Sequence, residues 1–324
     1  MVKIDKKDRE ILYQLDVNAR QSLRSIGSKV GISKSVVQYR IDRMIAEGII
    51  KNFYTSIDFY RLGYINLGIY VTYQYYTPKI EQEIINYFKA TDFTWFIANI
   101  QGKFDLICLF AVKNLNQFYS FWKQTLSKYR YHFQESVLSF FTRTHYFPSS
   151  YLLDTNHELE RAKHEIIDGG EPIAIDDKDI QILQHISLNA RKPLLEIAED
   201  IQASATLVSK RIKMLQKQQV IKGFRLNIDY AKLGLQLFNV QFNLKHYDRI
   251  HDIIRFIKSH PNVISISEVI DYYDLSINVH IKDFYELHIL IKSIYNTFPE
   301  DIKNHMTFSY PEIFKYNYMP TLHI

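Results

Sequence analysis

The sequence predicts an α+β fold written twice along one chain, and three observations carry that prediction. Sliding the 324-residue chain on itself by 171 positions aligns residues 4–63 with 175–234 without a gap, and roughly a third of those positions are identical. Each copy opens with apolar residues at helical spacing. Each copy then changes to the two-residue alternation of strands. A repeated unit of about half the chain is too long for a solenoid repeat.

In the first copy Ile4, Ile11, Leu12 and Leu15 share one helix face. That helix is expected to end at Asn18 in a left-handed cap. Ser22 caps a short second helix with Leu23, Ile26 and Val30 inward. Gly31-Ile32 makes a tight turn, and Ser33 caps a third helix that buries Val37, Ile41, Met44 and Ile45. An extended run, IIKNFYTSID, follows Gly48. Helix, short helix, tight turn, longer helix and strand make a winged helix-turn-helix.

Beyond it, Leu67, Ile69, Val71, Tyr73 and Tyr75 alternate with smaller or polar residues, as do Phe238, Val240, Phe242 and Leu244 in the second copy. A helix is expected over 78–90 and 250–259, strands over 94–101, 104–112, 263–270 and 274–281, helices over 114–128 and 283–296, and then a last strand. The order βαββαβ is ferredoxin-like. The predicted layout is a winged helix-turn-helix at 1–63, a ferredoxin-like domain at 64–148 and a charged, partly helical linker at 149–173. A second winged helix-turn-helix at 174–234 and a second ferredoxin-like domain at 235–324 complete it.

Composition narrows the function classes. With 47% hydrophobic and 23% charged residues, the chain reads as a soluble globular protein. From its charged opening no signal peptide is expected. Apolar runs such as residues 106–112 fall far short of the ~20 residues that span a bilayer. Cys108 is the single cysteine, which rules out an intramolecular disulfide and speaks against a cysteine-based zinc site. A cytoplasmic, nucleoid-associated location without a membrane partner is expected. The 24 Tyr and 21 Phe are read as cover for a large area of sheet.

No phosphate loop, nucleophile elbow or metal-ligand spacing is present, so no cofactor and no metal are expected. His157 and His164, seven apart on the linker, are read as a solvated helix face.

Positive charge concentrates in the helix-turn-helix segments. Residues 20–54 carry seven cations against two carboxylates, and residues 191–225 carry eight against three. Each window is therefore as positive as the whole chain, net +5, and the remainder is net acidic. Two modules contacting the phosphates of double-stranded DNA would leave that footprint. The candidate contacts in the first module are Arg20, Lys34, Ser35, Gln38, Tyr39, Arg40, Arg43 and Lys51. In the second they are Arg191, Thr206, Ser209, Lys210, Arg211, Lys213 and Lys222. Gln38 suits an adenine edge and Lys34 a guanine or a phosphate. The matching positions Ala205, Thr206, Ser209 and Lys210 are mostly smaller, so the two modules are expected to read different bases. The arginine of each Asn-Ala-Arg triplet, Arg20 and Arg191, is placed either to contact phosphate or to tie helices together.

These residues resemble the Lrp/AsnC (feast/famine) transcriptional regulators. The D-x-x-I-L start, the Gly31-Ile32-Ser33 turn, Arg40-Ile41 and Gly48-Ile49-Ile50-Lys51 carry the resemblance, which covers nearly the whole chain twice over. It implies a DNA-binding regulator without enzymatic activity, with ferredoxin-like halves that pair through their sheets. An amino acid or similar effector would bind between dimers. The family's G-x-x-D effector loop matches Gly102 to Asp105, whereas the second copy ends on Asp274 and lacks the glycine. The second module also lacks a turn glycine, having Gln202-Ala203-Ser204. That loss costs about 1 kcal/mol where the turn needs positive φ. The duplication implies a covalent pseudo-dimer that presents two recognition helices from one chain, with room for further homo-oligomerisation.

Two other functions fit the same architecture. One is an enzyme like the siroheme decarboxylases, for which Arg143, His145, His246 and His280 are the basic and imidazole groups available. The other is a nonspecific architectural nucleic-acid-binding protein.

Overall fold

The computed structural model describes residues 4–153, 164–270 and 272–319. The first copy opens with α1 (Lys6–Val17), α2 (Leu23–Val30), α3 (Lys34–Ala46) and β1 (Ile50–Ile57). It continues through β2 (Ile65–Tyr73), α4 (Pro78–Lys89), β3 (Thr94–Gln101), β4 (Leu106–Val112), α5 (Leu115–Tyr129) and β5 (Phe133–Tyr146). A short β6 (Glu165–Ile167) lies between the copies. The second copy repeats the order as α6 (Asp177–Leu188), α7 (Leu194–Asp200), α8 (Ala205–Lys217) and β7 (Ile221–Ile228). Then come β8 (Gln236–Leu244), α9 (Ile250–Lys258), β9 (Val263–Ile270), β10 (Leu275–Ile281), α10 (Phe284–Thr297) and β11 (Ile302–Tyr316).

Local chemistry sets the helix-turn-helix modules. Asp5 and Asp8 form a capping box at the start of α1, and Asp176 and Asp179 form the same box at α6. Ser33 and Ser204 cap α3 and α8. The turn before α3 puts Gly31 at φ 74°, and its counterpart Gln202 is held at φ 51°. Gly48 and its counterpart Gln219 repeat the contrast at 65° and 60°. The second module thus places side chains twice where the backbone favours glycine.

One capping expectation is corrected. Asn18 (φ −161°, ψ 103°) and Asn189 (φ −138°, ψ 81°) are not left-handed. Each side-chain Oδ1 instead accepts the backbone N–H two residues on, from Arg20 at 2.9 Å and Arg191 at 3.1 Å. These are Asx-turns, which satisfy the chain locally without a positive φ.

The modules share a two-stranded ribbon in which β1 runs antiparallel to β7. Its register sets Tyr54 opposite Arg225, the same position in the two copies, so a pseudo-two-fold axis passes through that pair. The module cores interpenetrate. Leu226 and Ile228 of β7 pack into the first core, and Ile57 of β1 packs into the second.

The remaining strands close a circuit in the order β2-β4-β3-β11-β8-β10-β9-β5, with β5 returning to β2 and β6 lying outside on β5. Within each copy the four-strand order is the ferredoxin-like one expected. Closure comes from the two long strands. Residues 133–140 of β5 pair with β2 of their own copy, and residues 140–146 pair with β9 of the other. In the same way β11 pairs first with β8 and then with β3. Helices α4 and α5 cover one outer face, with Ile84, Phe88 and Phe118 buried there. Helices α9 and α10 cover the other, burying Ile253, Ile257 and Leu287. Among the described residues no helix is long and apolar enough to cross a membrane.

The expected linker over 149–173 carries structure where it is described. Ser150–Leu152 form a 3-10 turn, and Glu165–Ile167 add a strand to β5. His157 lies outside the described residues. His164 stacks on His145 with ring centroids 5.3 Å apart.

Candidate nucleic-acid interface and central cavity

The structure divides the predicted DNA contacts into two groups. Lys34, Ser35, Gln38 and Tyr39 are all exposed on the first half of α3, with Tyr39 at 68%. Thr206, Lys210 and Lys213 are exposed on α8, and Ser209 is half-buried. Gln38 donates to Asp42 one turn on, at 2.7 Å. Lys34, Lys210 and Lys213 make no ion pair with any described residue. Helix N-terminal halves with this exposure are the surface a recognition helix offers to a groove.

Arg40, Arg43, Arg211, Lys222 and Lys51 each have a carboxylate partner within the protein, and Lys51 is exposed as well. Arg40 bonds Asp5 at 2.7 Å and Asp8 at 2.8 Å, and Arg43 bonds Asp8 at 2.6 Å. Arg211 repeats this with Asp176 and Asp179. These arginines fasten the recognition helix to the capping box of the first helix. Hydrogen bonds donated to those carboxylates hold both Arg40 and Arg211 above the usual guanidinium range. Lys222 is half-buried against the buried Asp58 at 3.3 Å. Lys51 lies 3.7 Å from Asp229, under the ribbon.

Arg20 and Arg191 resolve the choice the sequence left open, since each reaches across to the other module. Arg20 Nη1 donates to the carbonyl of Ala190 at 2.7 Å, and Arg191 Nη1 donates to the carbonyl of Ala19. Their guanidinium groups lie over Phe224 and Phe53, 5.4 and 5.5 Å from the ring centroids. The alanines complete the latch. Ala19 N–H donates to Phe224 at 2.7 Å, and Ala190 N–H donates to Phe53 at 2.8 Å. The repeated Asn-Ala-Arg is thus a reciprocal clasp between the two modules.

The aspartates of the expected effector loops each brace a strand of their own fold. The Asp105 carboxylate accepts the Tyr73 N–H at 2.7 Å, and Asp274 accepts the Leu244 N–H at 2.7 Å. A Cβ on Gly102 would come within 2.5 Å of Phe308 and 2.7 Å of the Thr307 carbonyl, so close strand packing explains that glycine.

Sequence reasoning missed the chamber beneath the ribbon. A cavity of about 400 Å³ lies between β1–β7 and the mouth of the barrel. On its rim Arg225 makes a bidentate pair with Asp16, at 3.0 and 3.2 Å, and donates to the Phe147 carbonyl at 2.8 Å. Both partners are buried, and their counterparts Ser187 and Tyr54 carry no charge. That unmatched pair of opposite charges in different copies was the available signal. His280 lines the cavity as well. It meets the Tyr151 hydroxyl at 3.0 Å and stacks on Tyr230, and burial pushes its imidazole down to about 4. Arg143, His145 and His246 are not on its wall. The first two contact Glu268 and the third Asp301.

Two latched helix-turn-helix modules on a closed α+β barrel define the class: a tandem winged helix-turn-helix protein. The winged helix-turn-helix DNA-binding family model matches residues 4–51 and 175–222. The HTH-type transcriptional regulator Ptr1 of Methanocaldococcus jannaschii is 33% identical over 115 residues, covering 35% of this chain and 74% of its own. LrpA of Pyrococcus horikoshii is 39% identical over 66 residues, covering 20% of this chain and 47% of its own. The chain belongs to the Lrp/AsnC family of HTH-type transcriptional regulators. Among solved structures, that of the siroheme decarboxylase NirDL overlays 96% of this chain and 93% of its own, with a TM-score of 0.66. At 13% identity that likeness is one of fold.

Proposed function

We propose that this Lrp-type DNA-binding regulator works as a covalent pseudo-dimer, with α3 and α8 reading two unlike half-sites of one operator. The observation that carries this reading is the reciprocal Asn-Ala-Arg clasp, which holds two exposed recognition helices in one unit. Lys34, Gln38 and Tyr39 on α3 correspond to Ala205, Ser209 and Lys210 on α8, and that difference supports an asymmetric operator. Half-sites about one helical turn apart, or a multiple, match such a unit. Selection of bound sequences from a random duplex pool tests it. Two unlike half-sites per chain are expected. A strict palindrome bound by two whole chains would overturn the intramolecular reading.

An amino-acid effector acting at the Gly102–Asp105 loop between such units belongs to the same reading. Sedimentation with and without amino acids tests it, and no change in association state would remove it. The decarboxylase-like alternative has His280 on the cavity wall in its favour. A spectral titration with siroheme tests it, and an unchanged spectrum would set it aside.

A further inference from the structure

The two copies line the barrel interior with opposite chemistry. Strand pairing identifies the equivalent inward positions. Phe96 pairs with Leu109 and Ala98 with Ile107, exactly where the second copy pairs Ser265 with Asn278 and Ser267 with Ser276. One wall of the cavity is thus apolar, and the wall facing it across the pseudo-two-fold is a hydrogen-bonding ladder. Asn239 Nδ2 donates to Ser276 Oγ at 2.7 Å and to Asn278 Oδ1 at 2.9 Å, and Asn278 donates to Ser265 at 3.0 Å.

The ladder is not closed on itself. Asn239 is 3% exposed, and its Oδ1 has no hydrogen-bond partner among the described residues. Asn278 is the half-buried end of the ladder on the lining, and its Oδ1, which accepts from Asn239, keeps a second lone pair for a ligand donor. Tyr54, Tyr310, Tyr316 and Tyr318 also line the cavity. Burial raises all four above the ordinary phenol range, so they stay neutral. Two of the three cations on the wall are paired with carboxylates, Arg225 with Asp16 and Lys51 with Asp229, while Lys315 donates to the carbonyls of Lys89 and Thr91. A chamber of this size falls in the range of small-molecule sites, about 300–1,000 Å³, and barrel mouths are a common place for them.

We propose that this cavity binds one neutral, planar heteroaromatic molecule per chain, its ring against the Phe96–Leu109 wall and its N–H edge on the Asn239–Asn278 ladder. Because the walls differ, the ligand has one orientation and the stoichiometry is one, not two. The site is separate from the Gly102–Asp105 loop, and its occupancy does not depend on DNA binding. Lumichrome, three fused rings with two N–H groups, is the probe, and its N,N-dimethylated form keeps the ring while removing the donors. Equilibrium dialysis of the full chain gives stoichiometry, and quenching of Trp95, which lines the cavity, gives location.

Expected are one lumichrome per chain and binding at least about tenfold weaker for the dimethylated form, the ratio that one hydrogen bond of about 1.4 kcal/mol confers. Asn278→Leu, which installs the first copy's residue, should weaken lumichrome by a similar factor. Tyr318→Phe, which removes only a hydroxyl, guards against misfolding and should weaken it about threefold or more. Failure of lumichrome to bind, two molecules per chain, equal binding of both forms, or unchanged affinity in both variants overturns the proposal.

Discussion

Gln202 and Gln219 occupy left-handed positions that glycine fills in the first copy. A non-glycine residue there is strained by about 1–2 kcal/mol, partly offset by glycine's extra freedom in the unfolded chain. Gln202→Gly and Gln219→Gly should each raise the unfolding temperature, corresponding to roughly 0.5–1 kcal/mol. Calorimetry of the two variants checks this, and an unchanged or lower transition would remove the strain argument.

His280 makes a second prediction at this scale. Burial lowers its folded-state value to about 4, against an ordinary histidine near 6.5. The unfolded chain therefore binds the extra proton first. His280's neutral state costs nothing above about pH 6.5, and stability then falls as pH drops from there to about 4, where the folded form also takes the proton. His280→Asn should flatten the pH dependence of thermal unfolding across that window. Tyr151, Tyr230 and Asp16 are the groups around it, and Asp16 acts in the opposing direction.

At the scale of elements, the ribbon and its clasp decide how the modules behave. Replacing Arg225 with Met leaves Asp16 buried without its partner, and such a loss costs about 3–5 kcal/mol. Replacing Arg20 with Ala removes one arm of the clasp, and the reciprocal arm from Arg191 remains. A smaller cost of about 1–2 kcal/mol is expected. It should appear as faster hydrogen exchange at the β1 and β7 amides, while the α4–α5 layer keeps its protection.

The elements themselves were legible in the sequence because periodicity and caps are local signals. The helix expected over 283–296 is α10 (Phe284–Thr297), and the strand expected over 94–101 is β3. The site was less legible. Arg40, Arg43 and Arg211 carry the right charge at the right helix, but their carboxylate partners lie 32 to 35 residues away. The cavity depends on pairs such as Ser265 and Asn278, whose common facing follows only from strand register. Asn18 misled because asparagine suits both a left-handed cap and an Asx-turn, and only the backbone path to the N–H two residues on decides between them.

At the scale of the whole molecule, the committed arginines change what DNA binding should depend on. Gln38→Ala should relax base preference in one half-site and leave the other unchanged, at a cost of about 1–3 kcal/mol. Lys210→Ala and Lys213→Ala should instead weaken all sequences alike and flatten the salt dependence. Binding isotherms at several salt concentrations separate the two effects. Arg40→Ala should act through stability, lowering the unfolding temperature of its own module.

The long strands β5 and β11 also settle how this protein is inherited as an object. Each spends its second half completing the other copy's sheet. A gene encoding the first half alone would therefore make a polypeptide with two bare sheet edges, and a second identical polypeptide is the partner that could cover them. Such a half would come back as a symmetric couple with the same residue at both ends of the axis, Tyr54 facing Tyr54. Joining the copies end to end is what lets one face of the couple mutate without the other, so the polar ladder and the Asp16–Arg225 pair exist in single copy.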